Sequence, residues 1–88
     1  MRVAFRESFE KDLHRIGDTR ILERVKKLIE SVEISKSLRE LKNLKKLKRE
    51  GYYYRVRVGD YRIGLVIEGD LATFVRFLHR KDLYRYFP

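Results

Sequence analysis

The stretch that decides the fold is YYYRVRVGDYRIGLVIEGDLATFVRFL, residues 52–78. Within it, Tyr52 to Val58, Tyr61 to Ile67 and Leu71 to Leu78 are aromatic and β-branched runs with a period of two, the spacing of half-buried strands. Gly59-Asp60 and Glu68-Gly69-Asp70 separate them and are hairpin signals, so the stretch predicts an antiparallel meander. A two-residue turn at Gly59-Asp60 sets Val56 against Ile63 and Val58 against Tyr61 in the core. Tyr53, Arg55 and Arg57 then point the other way, with Arg57 directly across from Arg62. For the second hairpin a three-residue loop at 68–70 is preferred. It keeps Val75 against Ile63 and brings Arg76 beside Arg62, whereas a two-residue loop would turn Phe77 and His79 onto the arginine face.

Before this stretch the apolar period becomes helical. Phe9, Leu13 and Ile16 predict a helix from Glu7 to Ile16, closed by Gly17. Asp18 is the N-cap expected for a second helix, whose stripe is Ile21, Leu22, Val25, Leu28, Ile29 and Val32. Arg2 to Phe5 reads as an opening strand. Leu38, Leu41, Leu44 and Leu47 recur every three residues, which predicts an irregular segment with a helical turn. The expected fold class is α+β, an N-terminal strand and a two-helix hairpin packed on one face of an antiparallel sheet in the order β-α-α-β-β-β. At 88 residues the chain is read as a single domain, 1–88, since two cores would leave each half too small to fold unaided.

Composition removes several function classes. With no cysteine there is no thiolate nucleophile, disulfide or cysteine-ligated metal, and the chain suits a reducing cytosol. No apolar run reaches the length of a membrane span, so no membrane partner and a cytoplasmic location are expected. The charge is +9 and unevenly placed: residues 1–35 carry +1, 36–62 carry +7, 63–75 carry −2 and 76–88 carry +3. A surface that merely carries many charges of both signs does not gather one sign in one block, so the asymmetry points to a polyanionic partner. Like charges facing each other across strands are destabilising. Arg57 opposite Arg62, with no carboxylate on their face in those two runs, therefore asks for an anion, and arginine grips phosphate bidentately. Lys42, Lys45, Lys46, Lys48 and Arg49 read as a phosphate-tracking, RNA-binding surface.

The string from Tyr54 to Ile63, YRVRVGDYRI, followed by HRKDLY from His79 to Tyr84, resembles the C-terminal half of the RelE/ParE toxin superfamily, and the order of elements extends the resemblance over essentially the whole chain. It implies the toxin of a type II toxin–antitoxin pair. In the RelE branch this is a ribosome-dependent mRNA endoribonuclease that inhibits translation, restrained by a cognate acidic RelB-like antitoxin, with the ribosome and mRNA as its other partners. Residue by residue, Arg55 and Arg57 match the basic positions before the hairpin, Arg62 the arginine after it, Arg80 the basic residue ending the last strand and Tyr84 the tail tyrosine. Where well-known members carry lysine before the hairpin this chain has arginine, and the spacing from Arg80 to Tyr84 differs from some members by a residue or two.

Metal-free RNA cleavage uses the ribose 2′-OH as nucleophile, so it needs a base, charge stabilisation at phosphorus and help for the leaving oxygen. No cofactor is implied. Arginine is too weak an acid to exchange protons at neutral pH, leaving Tyr84 or His79 as base. Tyr84 is preferred, because surrounding guanidinium groups favour its phenolate. Arg57 and Arg62 are then the stabilisers of the pentavalent phosphorus, Arg55 the phosphate anchor and Arg80 the leaving-group helper or second anchor. His79 is left as RNA-binding or as a cap on the last strand. Two other functions fit the same residues: a ParE-type toxin acting on DNA gyrase, and a non-catalytic RNA-binding module.

Overall fold

The computed structural model describes residues 1–47 and 51–88. Its elements run β1 (Arg2–Phe5), α1 (Glu7–His14), α2 (Thr19–Ile34), a 3-10 turn (Leu38–Glu40), β2 (Leu44–Lys46), β3 (Tyr53–Val58), β4 (Tyr61–Glu68), β5 (Leu71–His79) and α3 (Leu83–Tyr86). The strands form one five-stranded sheet in the order β1-β5-β4-β3-β2. β1 lies parallel to β5 and the other pairs are antiparallel. The sheet is therefore mixed rather than purely antiparallel, because the helical hairpin returns the chain across the sheet before the meander starts. β1 and β2 are its two edges. The leucine-rich segment contributes both the expected helical turn and the extra strand β2, with Leu44 opposite Val56.

Apolar residues of the two helices and of the inward sheet face share one core. Phe9, Val25 and Val32 meet Val56, Ile63, Leu65, Phe74 and Phe77 there, all essentially buried. Asp18 caps α2 as its sequence position implied, accepting from Arg20 N at 2.9 Å and Ile21 N at 3.4 Å. α1 stops at His14, short of Ile16.

The first hairpin has the register read from sequence: Val56 faces Ile63, Arg57 faces Arg62 and Val58 faces Tyr61. Gly59 takes φ 58° at the first central position of the turn, as a type II′ turn requires. The second hairpin does not have the preferred three-residue loop. Glu68 pairs with Leu71 across Gly69-Asp70, and a bulge follows where Leu65 faces Phe74 but Gly64 faces Arg76. The extra residue, Val75, reverses which face each later residue of β5 occupies. Phe77, not Val75, thus fills the core opposite Ile63, and Leu78, not Arg76, lies across from Arg62. Neither sequence alternative allowed for a bulge.

Past Phe74 the outer edge of β5 has left its strand partner, and α1 takes over. Ser8 Oγ donates to Val75 O at 2.6 Å, and buried Asp12 accepts from Phe77 N at 2.9 Å. Asp12 also accepts from Arg76 Nε at 2.8 Å and Nη2 at 3.1 Å. Arg76 is therefore already paired inside the fold, and its expected place beside Arg62 is corrected.

Candidate active site

The outer face of the sheet carries two rows. In the first, Lys45 pairs with Arg55, Arg55 with Gly64 and Gly64 with Arg76; in the second, Arg57 pairs with Arg62 and Arg62 with Leu78. Side chains in register across a sheet stand on the same face, so Lys45, Arg55, Arg57 and Arg62 share the outer face. Among the described residues, the ion pairs within 4.0 Å are Arg2–Asp70, Glu7–Lys11 and Asp12–Arg76. None of them neutralises Arg55, Arg57, Arg62 or Arg80.

Arg62 sits at the centre of the cluster. Its Nη1 donates to Gly59 O at 2.9 Å and Tyr61 O at 2.8 Å, which fixes the guanidinium at the turn. Its pKa is pushed down from the usual arginine range by partial desolvation first and then by the charges of Arg55 and Arg57, with Arg80 adding to the effect and Tyr84 opposing it. Those same interactions locate Arg80 and Tyr84 in the field of Arg62. Arg80 is tied to the turn by its backbone, donating to Asp60 O at 2.8 Å. Arg55 Nε is buried and has no hydrogen-bond partner among the described residues, which leaves its desolvation uncompensated by them. Tyr84 is 62% exposed, open to a ligand.

The remaining sequence candidates are placed differently. Lys46 pairs with Tyr54, so alternation turns it to the helix side of β2, while Lys45 joins Arg55. Lys48 and Arg49 lie outside the described residues. His79 pairs with Tyr61 and packs its ring edge-on against it at 5.8 Å, away from the arginine face. Its Nδ1 accepts from Lys81 N at 3.2 Å; in the neutral ring the other nitrogen then carries the proton and has no lone pair for base chemistry.

Two cations were missed. Arg24 of α2 lies over the first turn, its Nη1 3.1 Å from where a Cβ on Gly59 would stand. With Lys27, Lys42 and Arg57 it lines a groove of about 460 Å³ between α2 and the free end of β3. Their i, i+3 spacing on the polar side of α2 was a legible signal, overshadowed by the near-neutral charge of that third of the chain. Gly64 was passed over too, although glycine inside a strand marks a close approach; the ring of Phe87 occupies the space above it.

This is an α+β domain whose open sheet face carries Arg55, Arg57 and Arg62, matched to no carboxylate among the described residues, with Tyr84 in the field of Arg62. More specifically, the chain belongs to the RelE/ParE superfamily of type II toxin–antitoxin toxins: residues 3–84 match the family described as the ParE toxin of the type II toxin–antitoxin system parDE. It is 47% identical over 89 residues to Toxin RelE3 of Methanocaldococcus jannaschii, covering all of both chains. Among solved structures it is similar to the RelB-RelE antitoxin–toxin complex of Methanococcus jannaschii, at 45% identity and TM-score 0.80, over 97% of this chain and 99% of that one. The toxin–antitoxin complex RelBE2 of Mycobacterium tuberculosis matches at 29% identity and TM-score 0.65, over 90% of this chain and 96% of that one.

Proposed function

We propose that this chain is a RelE-type toxin that cuts mRNA on the ribosome and so inhibits translation. The observation that carries the reading is the set of guanidiniums around Arg62, held by the sheet and matched to no carboxylate among the described residues. Placed there, a phosphodiester replaces mutual repulsion with charge-assisted hydrogen bonds. In the reaction Tyr84, as phenolate, takes the proton of the ribose 2′-OH. The 2′-oxygen bonds to phosphorus, and the bond to the 5′-oxygen breaks with its electron pair on that oxygen, leaving a 2′,3′-cyclic phosphate on one fragment and, once the oxygen takes a proton from water, a 5′-hydroxyl on the other. Arg57 and Arg62 stabilise the charge that builds at phosphorus. Arg55 anchors the phosphate, and Arg80 stabilises the departing oxygen. Tyr84 is assigned as base over His79 because the His79 Nδ1 lone pair is already engaged.

The partner of this toxin is an acidic RelB-like antitoxin. RelB accompanies RelE in the related Methanococcus jannaschii complex, and an acidic segment is what the basic outer face would attract.

Purified chain incubated with translating ribosomes is expected to yield mRNA fragments, and Arg62→Ala is expected to yield none while melting at or above the wild-type temperature. A fully active Arg62→Ala variant overturns the assignment. The match to a family described by a ParE toxin favours a second reading, inhibition of DNA gyrase. A supercoiling assay run in parallel separates the two: loss of supercoiling with mRNA uncut would select the gyrase branch.

A further inference from the structure

The tail beyond Arg80 lies on the outer sheet face, and its packing is specific. Phe87 is only 3% exposed. Its ring covers Gly64 so closely that a Cβ there would come within 2.6 Å of it, and Tyr53 meets it edge-on at 5.7 Å. Gly64 is not among the glycines with positive φ, so the backbone does not require glycine at this position. What requires it is the space for the ring. On one flank of the ring stands Arg55, and on the other Arg76, the neighbours of Gly64 in the row. Arg76 is held by Asp12 of α1 and carries the ring of Tyr86 at 5.6 Å, a cation–π contact. Phe87 N donates back to Leu83 O at 2.8 Å, closing the turn that contains Tyr84.

We infer that Gly64 and Phe87 form a seat for the tail, braced by the Asp12–Arg76–Tyr86 stack, and that this seat is the positioning device that holds Tyr84 within reach of the guanidiniums. Tyr84 itself is exposed and in the field of Arg62; its neighbours in the tail supply the anchorage it lacks. The consequence for catalysis rests on the nuclease reading, while the seat does not. Gly64 and Phe87 touch no substrate and act through Tyr84.

The test uses the full-length chain and Gly64→Ala, with two readouts: the backbone ¹⁵N heteronuclear NOE of Tyr84, and single-turnover cleavage of ribosome-bound mRNA at saturating enzyme. Displacing a catalytic group by about 1 Å can cost on the order of a hundredfold in rate. Gly64→Ala is expected to lower the Tyr84 NOE and to cut the rate by about that factor, with ribosome affinity within about twofold of wild type. Adding Phe87→Leu, which makes room for the new methyl, is expected to recover at least about tenfold. If Gly64→Ala does not fold, Phe87→Ala carries the same expectations. An unchanged NOE overturns the seat; a lowered NOE with an unchanged rate, or a double variant no faster than the single, overturns its role in positioning. A wild-type chain that leaves mRNA uncut while Gly64→Ala still loosens Tyr84 would fail the nuclease reading and leave the seat supported.

Discussion

At the scale of single residues, Asp12 shows how a side chain outside the site can govern it. Its carboxylate is 4% exposed and takes three donors, two from Arg76 and one from the backbone of Phe77. Removing one partner of a buried pair leaves the other desolvated and unpaired, which costs about 3–5 kcal/mol. Asp12→Ala is therefore expected to lose stability of that order in urea unfolding, an effect far larger than that of removing an exposed carboxylate such as Glu7, which pairs with Lys11 at the surface. None of this was legible in sequence. Asp12 precedes Leu13 on an ordinary amphipathic helix, and its partner lies 64 residues away. The arginines were legible because strand alternation and one short turn fix which side chains face each other. Arg55, Arg57 and Arg62 followed from counting outward from Gly59.

At the scale of elements, local chemistry proved more readable than pairing across a longer span. The cap at Asp18 lies next to the helix it starts, and the two backbone N–H groups that donate to its carboxylate bear that out. Asp18→Ala is expected to cost about 1 kcal/mol, measurable as a lower urea midpoint with an unchanged denaturant slope. β2 escaped because a three-residue strand carries too little alternation to stand out from its lysines. The register of β5 escaped because a bulge leaves the composition of a strand untouched. Both flanking halves alternate correctly, and only their relation to each other changes.

At the scale of the whole molecule, the helices seal one side of the sheet and leave the other to cationic side chains and a short tail. The +9 charge is therefore not spread evenly over the surface. Binding that engages about four phosphates should weaken with salt at a slope near −3 in log–log form, taking about −0.7 per phosphate for single strands. Titrating a short, uncleavable RNA across ionic strengths checks this, and a flat response would mean that the basic face does not meet the backbone. The gathering of positive charge in the middle and C-terminal segments was visible in the sequence. The seat of the Phe87 ring was not, since it depends on a gap above Gly64 that only the folded sheet creates. The single extra residue at Val75 ties these levels together. It works as a parity switch: with it, the distal half of β5 buries Phe77 and releases the chain toward the arginines. Without it, the same letters would turn that phenylalanine to solvent and send the terminal aromatics off on the side already filled by helices.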